Sequence, residues 1–558
     1  MAAETQSSGR WRGMSPLGWH WFRLCAGPAA AVLAWWLAGD AMHPAARRTA
    51  AVAVLMAVYW LTHALPIPAT SLLPLVLFPL LGIQTAGQVA EAYVDSTIFL
   101  FVGGFVIALG IERWGLHRRI ALHVLALLGS GPRQLTFGFM VATAGMSMWV
   151  SNTASTLLMM PIGLALLRSM AASPASGDGR PAAGSDAGPV PLGVPLMLGI
   201  AYAASIGGLT TLVGTPTNVQ FVRIWRLQFP DAPEVSAGEW MLAAGPIGLA
   251  LLLAAWWWLT RGIAETTVRR PRSFFRQRLR ELGRPSVAEW AMLVVLAATA
   301  VLWITRKPLA FGGVRMLGGW AEPLSGWLRS LGMPSERAAH AVDDSTVAML
   351  MALLLFVIPV PVGEARRQRV EGSAADPQDV DTTSRVNCLM DWETAERLPW
   401  GVLLLIGGGF ALAGAIRTSG LAEWIGEQFA AAVTGWPAWM VVVTVVAVLI
   451  LLTEITSNVA TVSALLPILA VMAVRLNLDP RLIMIPATIA TSCAFMLPIA
   501  TPPNAIVFGT GYVSMRTMAT TGLWLNVLGT VIIAVLTFAV VVPVLGIDPG
   551  GVPAWAAH

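Results

Sequence analysis

Two short polar sequences, Ser151-Asn152-Thr153 and Ser457-Asn458-Val459, interrupt long apolar stretches of this chain. Each is followed by a second break, Gly214-Thr215-Pro216-Thr217-Asn218 after the first and Ala500-Thr501-Pro502-Pro503-Asn504 after the second. Hydroxyl, amide and free main-chain carbonyl oxygens are hard ligands suited to a small cation, and the N–H groups at helix starts suit an anion. No Lys or Arg occurs in 136–165, 205–222 or 488–512. An anion held here would rest on hydroxyls, amides and helix ends, aided by bound cations acting across a low-dielectric gap. Cation binding then raises anion affinity, and the reverse holds equally. Glu454 is the one acid within the second polar segment. A functional carboxylate and one hydrogen bonded to nearby backbone are both consistent with its place.

The elements around these residues must lie in a membrane. Hydrophobic residues make up 56% of the chain and charged residues 12%, with mean hydropathy +0.70, far from soluble averages. A bilayer core needs roughly 20 apolar residues per helix, and the runs suggest about eleven spans plus two re-entrant hairpins. The clearest spans are near 24–40, 49–63, 68–83, 96–112, 242–260, 287–304, 343–362, 400–416 and 523–545, with broken ones near 193–227 and 480–512. The hairpins occupy about 136–167 and 437–473, each with a polar sequence at its tip. Irregular backbone survives at membrane depth only where protein or a hydrated cavity surrounds it. The expected fold class is therefore an all-α polytopic membrane protein. Small polar residues that glue helices together are the plainer reading of one triplet; two matched triplets with matched Thr-Pro breaks favour a site.

The match is internal. Gly103-Gly104-Phe105 aligns with Gly408-Gly409-Phe410 and Gly115-Leu116 with Gly420-Leu421. Shifted by one residue, Asn152 falls on Asn458 and Pro161 on Pro467; the breaks then align Thr215 with Thr501, Pro216 with Pro502 and Asn218 with Asn504. Extra residues Ala171 to Pro191, rich in Gly, Pro, Ser and Asp, account for the change of register and read as a flexible loop. Arg113, His117, Arg118 and Arg119 precede the first hairpin, whereas Arg417, Glu423 and Glu427 precede the second. By the positive-inside bias the hairpins enter from opposite sides, which makes the repeat inverted rather than parallel. Eight arginines in 261–284 place that connection, and with it the N-terminus, in the cytoplasm. Arg47 and Arg48, in the first external loop, run against this rule.

Other features are bland. The net charge of +5 sits in loops beside spans, which is topogenic and does not indicate nucleic acid; a bound anionic lipid at the arginine-rich connection is an alternative. The basic leader with Arg10, Arg12 and Arg23 precedes the first span, which reads as a retained first helix and not a cleaved signal. Cys25, Cys388 and Cys493 lie far apart and form no disulfide or metal spacing. An intramembrane enzyme lacks its motifs, since there is no HExxH, Gly-x-Ser-x-Gly elbow or P-loop. A passive anion channel could use the same tips and differs from a carrier in being unable to accumulate its substrate.

Ser147-Met148-Trp149-Val150-Ser151-Asn152-Thr153, Thr453-Glu454-Ile455-Thr456-Ser457-Asn458, the two Thr-Pro breaks, and Leu398-Pro399-Trp400 leading into Gly407-Gly408-Gly409 together resemble the divalent-anion:sodium symporters. That family carries dicarboxylates, citrate or sulfate, and the resemblance covers nearly the whole chain. It implies a homodimer in the inner membrane in which a scaffold holds a transport domain that moves like an elevator. The implied division is a cytoplasmic segment 1–23, scaffold 24–128, transport domain 129–262, basic linker 263–285, scaffold 286–430, transport domain 431–546 and a tail 547–558. The connections 306–342 and 363–397 read as solvated.

Carried over by residue, one Na+ site resembles Ser147, Ser151, Asn152 and Gly214. The other resembles Thr453, Thr456, Ser457, Asn458 and Ala500, with Thr456 and Ala500 acting through backbone carbonyls. The implied substrate contacts are Asn152, Thr153, Thr215, Pro216, Asn458, Val459, Thr501 and Pro502. Val459 departs from the Thr of many members and removes a hydroxyl from one side. The resemblance implies sodium-coupled uptake of a dicarboxylate such as succinate, fumarate or malate; citrate, sulfate and sodium-independent exchange remain the alternatives. Two sodium ions with a dianion move no net charge, and each extra charge carried adds about 2.3 kcal/mol per 100 mV. An electrogenic cycle therefore requires a further cation site.

Overall fold

A computed structural model of the chain describes residues 16–39, 42–128, 131–171, 192–263, 273–311, 314–339, 341–361 and 387–556. Most of the N-terminal segment, the extra loop before residue 192, Arg269, Arg270 and Arg272 of the basic linker, and most of the connection 363–397 lie outside the described residues.

The described residues are overwhelmingly helical, and seven helices among them are long and apolar enough to cross a membrane. Several expected spans differ in detail. The first helix begins at Pro16 and includes Arg23. The expected span 68–83 is two short helices, Ile67–Thr70 and Leu73–Leu80, each with proline in its first turn, where a preset φ and a missing N–H are tolerated. The span expected at 343–362 ends as a helix at Leu355 and continues to a bridge between Pro359 and Cys388. The described residues are all-α apart from one short ribbon in a connection. Leu309–Phe311 pairs antiparallel with Val314–Leu317 inside the connection 306–342, followed by the helices Ala321–Ser330 and Ser335–Ala339.

The helix order of the first half recurs in the second. Ser96–Arg113 corresponds to Trp400–Thr418, and each is followed by a 13-residue amphipathic helix, Leu116–Leu128 or Leu421–Val433. These arm helices were legible only as charged stretches. Gly115 and Gly420 join helix to arm with φ of +66° and +78°, a left-handed turn that favours glycine. The second arm bends by 119° into its hairpin. The hairpins follow as Pro132–Ser147 with Asn152–Ala171, and Ala438–Thr453 with Asn458–Arg475. The broken helices are Gly193–Leu209 with Pro216–Gln228, and Arg481–Thr491 with Pro502–Phe508. Ala237–Thr260 and Met515–Leu536 close the halves.

The duplicated glycine pairs explain themselves in three dimensions. A Cβ on Gly103 would meet the Ala348 backbone at 2.6 Å, and one on Gly408 the Ser71 carbonyl at 2.3 Å. The second glycine of each pair faces the other way, Gly104 toward Val213 and Gly409 toward Ser463 and Gln220. The basic linker contains a helix, Ser273–Glu281, with Phe275 buried against Phe139. Arg119 ties the first arm to Glu289 at 2.7 Å and to the Gly283 carbonyl at 2.9 Å. The tail is packed: Trp555 lies 5.1 Å from Trp225 and 5.5 Å from Phe229, with Arg481 over its ring.

Candidate functional site

Each hairpin arm ends, the chain turns, and a new helix starts at the tip asparagine. In the first half Ser147 donates its hydroxyl hydrogen toward Asn152 Oδ1 (2.7 Å) and lies 2.6 Å from the Ala204 carbonyl. In the second half Thr453 stands between Asn458 Oδ1 and the Thr491 carbonyl in the same way. Each hydroxyl has one hydrogen to share between two acceptors, so each tip gathers more oxygen than hydrogen, the arrangement a cation would relieve. Ser147 and Thr453 are fully buried.

The first cation set converges further. A Cβ on Gly208 would fall 2.3 Å from Asn152 Oδ1 and 3.1 Å from the Gly214 carbonyl, so both oxygens flank one point that glycine keeps open. Ser151 accepts from the Ala154 N–H at 3.3 Å and starts the tip helix. In the second set Thr456 is engaged with Thr461 Oγ1 (2.6 Å) and the Leu452 carbonyl (2.8 Å), and Thr461 reaches the Ser457 carbonyl. Ala500 occupies the position that matches Gly214.

The breaks are held by matched asparagines. Asn218 donates to the carbonyls of Gly208 (3.3 Å), Leu209 (3.1 Å) and Thr211 (2.7 Å). Asn504 donates to those of Ala494 (3.0 Å) and Leu497 (3.1 Å). These bonds pin the loops so that Thr215 and Thr501 sit at the N-caps of the following helices. Four helix starts, at Asn152, Pro216, Asn458 and Pro502, therefore carry the substrate-contact residues expected from the sequence. Unpaired N–H groups at such starts favour an anion. Thr153 and Val459 follow the tip asparagines; Val459 is buried, so the missing hydroxyl leaves an apolar wall.

The halves also exchange partners. Pro216–Gln228 packs on Asn458–Arg475, and Pro502–Phe508 packs on Asn152–Ala171. Thr217 lies 3.1 Å from Ser492, Ser463 donates to Gln220 at 2.8 Å, and Tyr202 donates to the Phe495 carbonyl at 2.9 Å. Each hairpin thus meets the break of the other half.

Glu454 is fastened. Its carboxylate accepts from the N–H groups of Phe495 (2.7 Å), Met496 (2.9 Å) and Leu497 (3.0 Å) and from the Asn526 amide (2.7 Å). The counterpart in the first half uses other groups: Thr211 donates to the Met148 carbonyl at 2.5 Å. Sequence reasoning missed Thr211, Thr491, Ser492 and Asn526. Asn526 carried a signal, a lone amide in an apolar helix; the others are hydroxyl residues with no distinguishing pattern.

The chain is similar to several known proteins. The curated protein named sodium-dependent dicarboxylate transporter SdcS from Staphylococcus saprophyticus is 39% identical over 502 residues, covering 89% of this chain and 86% of that protein. The one of the same name from Staphylococcus aureus strain bovine RF122 is 37% identical over 501 residues, with the same coverage. Among solved structures, Neisseria gonorrhoeae MtrF aligns over 83% of this chain and 85% of its own at 15% identity, with a TM-score of 0.49. Residues 20–546 match the family described as sodium:sulfate symporter transmembrane region. The chain is an integral membrane protein and belongs to this family, the divalent-anion:sodium symporters that its tip motifs resemble.

Proposed function

We propose that the protein is a secondary active transporter that couples sodium entry to uptake of a divalent carboxylate such as succinate, fumarate or malate. The observation that carries this reading is the matched pair of tips, where Asn152 and Asn458 each turn an amide oxygen toward a buried hydroxyl and a main-chain carbonyl at the start of a helix. An Asn oxygen keeps a second lone pair for Na+. One Na+ is held by Ser147, Ser151, Asn152 and Gly214, and the other by Thr453, Thr456, Ser457, Asn458 and Ala500. The dianion lies between them against Thr153, Thr215, Pro216, Val459, Thr501 and Pro502, so the cations supply the positive charge that the side chains lack. The names of the two relatives favour dicarboxylate over sulfate.

Transport proceeds by an elevator step of a transport domain against a scaffold, each built from both inverted repeats, in a homodimer of the inner membrane with a cytoplasmic N-terminus. Regions 129–262 and 431–546 move against 24–128 and 286–430. Gly104 and Gly409, which bring scaffold helices close to Val213, Ser463 and Gln220, supply the smooth face this needs. Helix Val287–Ile304 is about 27 Å long. Arg119 of the first arm binds Glu289 near its start, while Trp149 at the first tip stacks on Trp303 near its end, with ring centroids 6.2 Å apart. The first tip therefore stands far from its own arm, which supports a raised, outward end state. Two ion-pair groups lie across the same boundary, Arg223 with Asp95 at 2.8 Å and Glu234 with Arg306 at 2.9 Å; lowering the moving region separates them.

The test is uptake of radiolabelled succinate into proteoliposomes, with an inward sodium gradient or with choline in place of sodium, and with citrate and sulfate as competitors. Sodium-driven accumulation of succinate is expected. Exchange that ignores sodium would instead assign an antiporter, and uptake blocked only by sulfate or only by citrate would change the substrate.

A further inference from the structure

We infer that one end of the first helices holds an anionic phospholipid, with its phosphate on Arg48 beside Arg47 and an acyl chain in the groove that Arg48 rims. Helices Pro16–Ala38, Pro44–Thr62 and Leu73–Leu80 meet there around an open groove of about 500 Å³. Its walls are Ala31, Val32, Trp35, Ala51, Leu80 and Leu81, and Arg48 is the only charged residue among the described ones that line it. Leu80 is 76% exposed and Val32 68%, so protein leaves this apolar face open.

The arginines are positioned rather than loose. Arg48 Nη1 donates to the Leu81 carbonyl at 2.8 Å, at the end of Leu73–Leu80. Arg47 Nε donates to the Trp35 carbonyl at 2.6 Å, and its guanidinium lies 4.3 Å from the Trp35 ring. No carboxylate pairs with Arg48 among the described residues. A guanidinium has five N–H groups in a fork that matches phosphate oxygens, so Arg48 retains donors after capping Leu81. Trp35 and Trp36 mark the level where headgroups begin. An apolar slot below that level and a cation at it are complementary to a phospholipid. A second copy fits less well, because a twofold contact sets a patch against itself and this patch contains arginine without acid. The inference also accounts for two basic residues that oppose the positive-inside trend.

Native mass spectrometry of the full-length protein with equimolar phosphatidylglycerol and phosphatidylcholine reads the site directly. Wild type is expected to retain phosphatidylglycerol preferentially. Arg48→Gln keeps an amide for the Leu81 carbonyl and lowers that retention by about fivefold, the worth of one basic residue near a charged headgroup. Ala51→Trp leaves both arginines and fills the groove, and it too expels the lipid; Arg329→Gln, at an exposed helix elsewhere, changes nothing. Equal retention of the two lipids by wild type overturns the inference, as does unchanged phosphatidylglycerol retention in both Arg48→Gln and Ala51→Trp. A shift of the monomer–dimer balance without loss of lipid would give the groove to a second copy and also overturn it.

Discussion

The two hairpin tips share one plan and differ in how they are fastened and covered. At equivalent positions a tip is tied to its break by Thr211 and the Met148 carbonyl in the first half, and by the Leu497 N–H and the Glu454 carboxylate in the second. In both halves the break donates and the tip accepts, but side chain has changed places with backbone. The coverings differ too. Trp149 is stacked on Trp303 and Val213 is buried at 9%, while their counterparts Ile455 and Ile499 are 63% and 72% exposed. The repeat thus preserves the oxygen cluster and varies its surroundings.

The largest expected effect tests the shared plan. Asn152→Ala and Asn458→Ala each reduce sodium-driven succinate uptake by at least about 100-fold, since each removes an amide oxygen from a buried cluster, while size-exclusion profiles stay those of the folded protein. Wild-type uptake by either variant would show that the halves are not equivalent and that its tip is not a binding site. Gly409→Ala comes next. A methyl there meets Ser463 Oγ at 2.3 Å and Gln220 Nε2 at 2.5 Å, and uptake is expected to fall more than about tenfold from overpacking at a moving face with sodium affinity unchanged. A change in sodium affinity alone would relocate Gly409 to a static contact.

Glu454→Gln probes the fastening that is peculiar to the second half. Losing the charge weakens three backbone bonds, each a charge-assisted contact, and about 3 kcal/mol of stability is expected to go. A thermal-shift assay reads this, and an unchanged melting temperature would mean that the carboxylate is not a structural anchor. Thr211→Val, which removes a single neutral bond, costs about 1 kcal/mol by the same assay.

Glu234 pairs with Arg226, Arg306 and Lys307. Burial opposes its charge, but Arg306, Lys307 and Arg226 outweigh it and hold the carboxyl at about 2. A depressed carboxylate gives stability that is complete above its unfolded value of about 4.3 and is lost as pH falls through the folded one. Glu234 therefore stays ionised between about pH 5 and pH 8. Glu234→Gln raises the external succinate concentration for half-maximal uptake about threefold, because the raised state is less populated, and this shift is flat across that pH range. A shift confined to the acid side would contradict the ion-pair account.

The smallest expected effect restores symmetry. Val459→Thr gives the second tip the hydroxyl that Thr153 provides in the first, and competition assays are expected to show a change of about threefold in succinate affinity relative to sulfate, the scale of one solvated hydrogen bond.

Much of this was legible beforehand because apolar runs and helix breakers act locally. Span positions, the polar tips at Ser151-Asn152 and Ser457-Asn458, and the Thr-Pro breaks follow from hydropathy and from proline at helix starts. The arm helices were not, since 13 amphipathic residues resemble a charged loop in an apolar chain. Nor was the ribbon of Leu309–Phe311 with Val314–Leu317 read, although Gly312-Gly313 between its strands is a local hairpin signal in the sequence. Glu454 stood between two readings until its partners appeared, because an intramembrane carboxylate has the same sequence signature whether it faces a cavity or a loop. The sequence by itself determined the medium, the repeat and the oxygen-bearing residues, all properties of composition and spacing. Only the tertiary structure decided which hydroxyl meets which carbonyl, that each hairpin meets the break of the other half, and which tip is covered, because those contacts join residues distant along the chain whose partners no local pattern specifies.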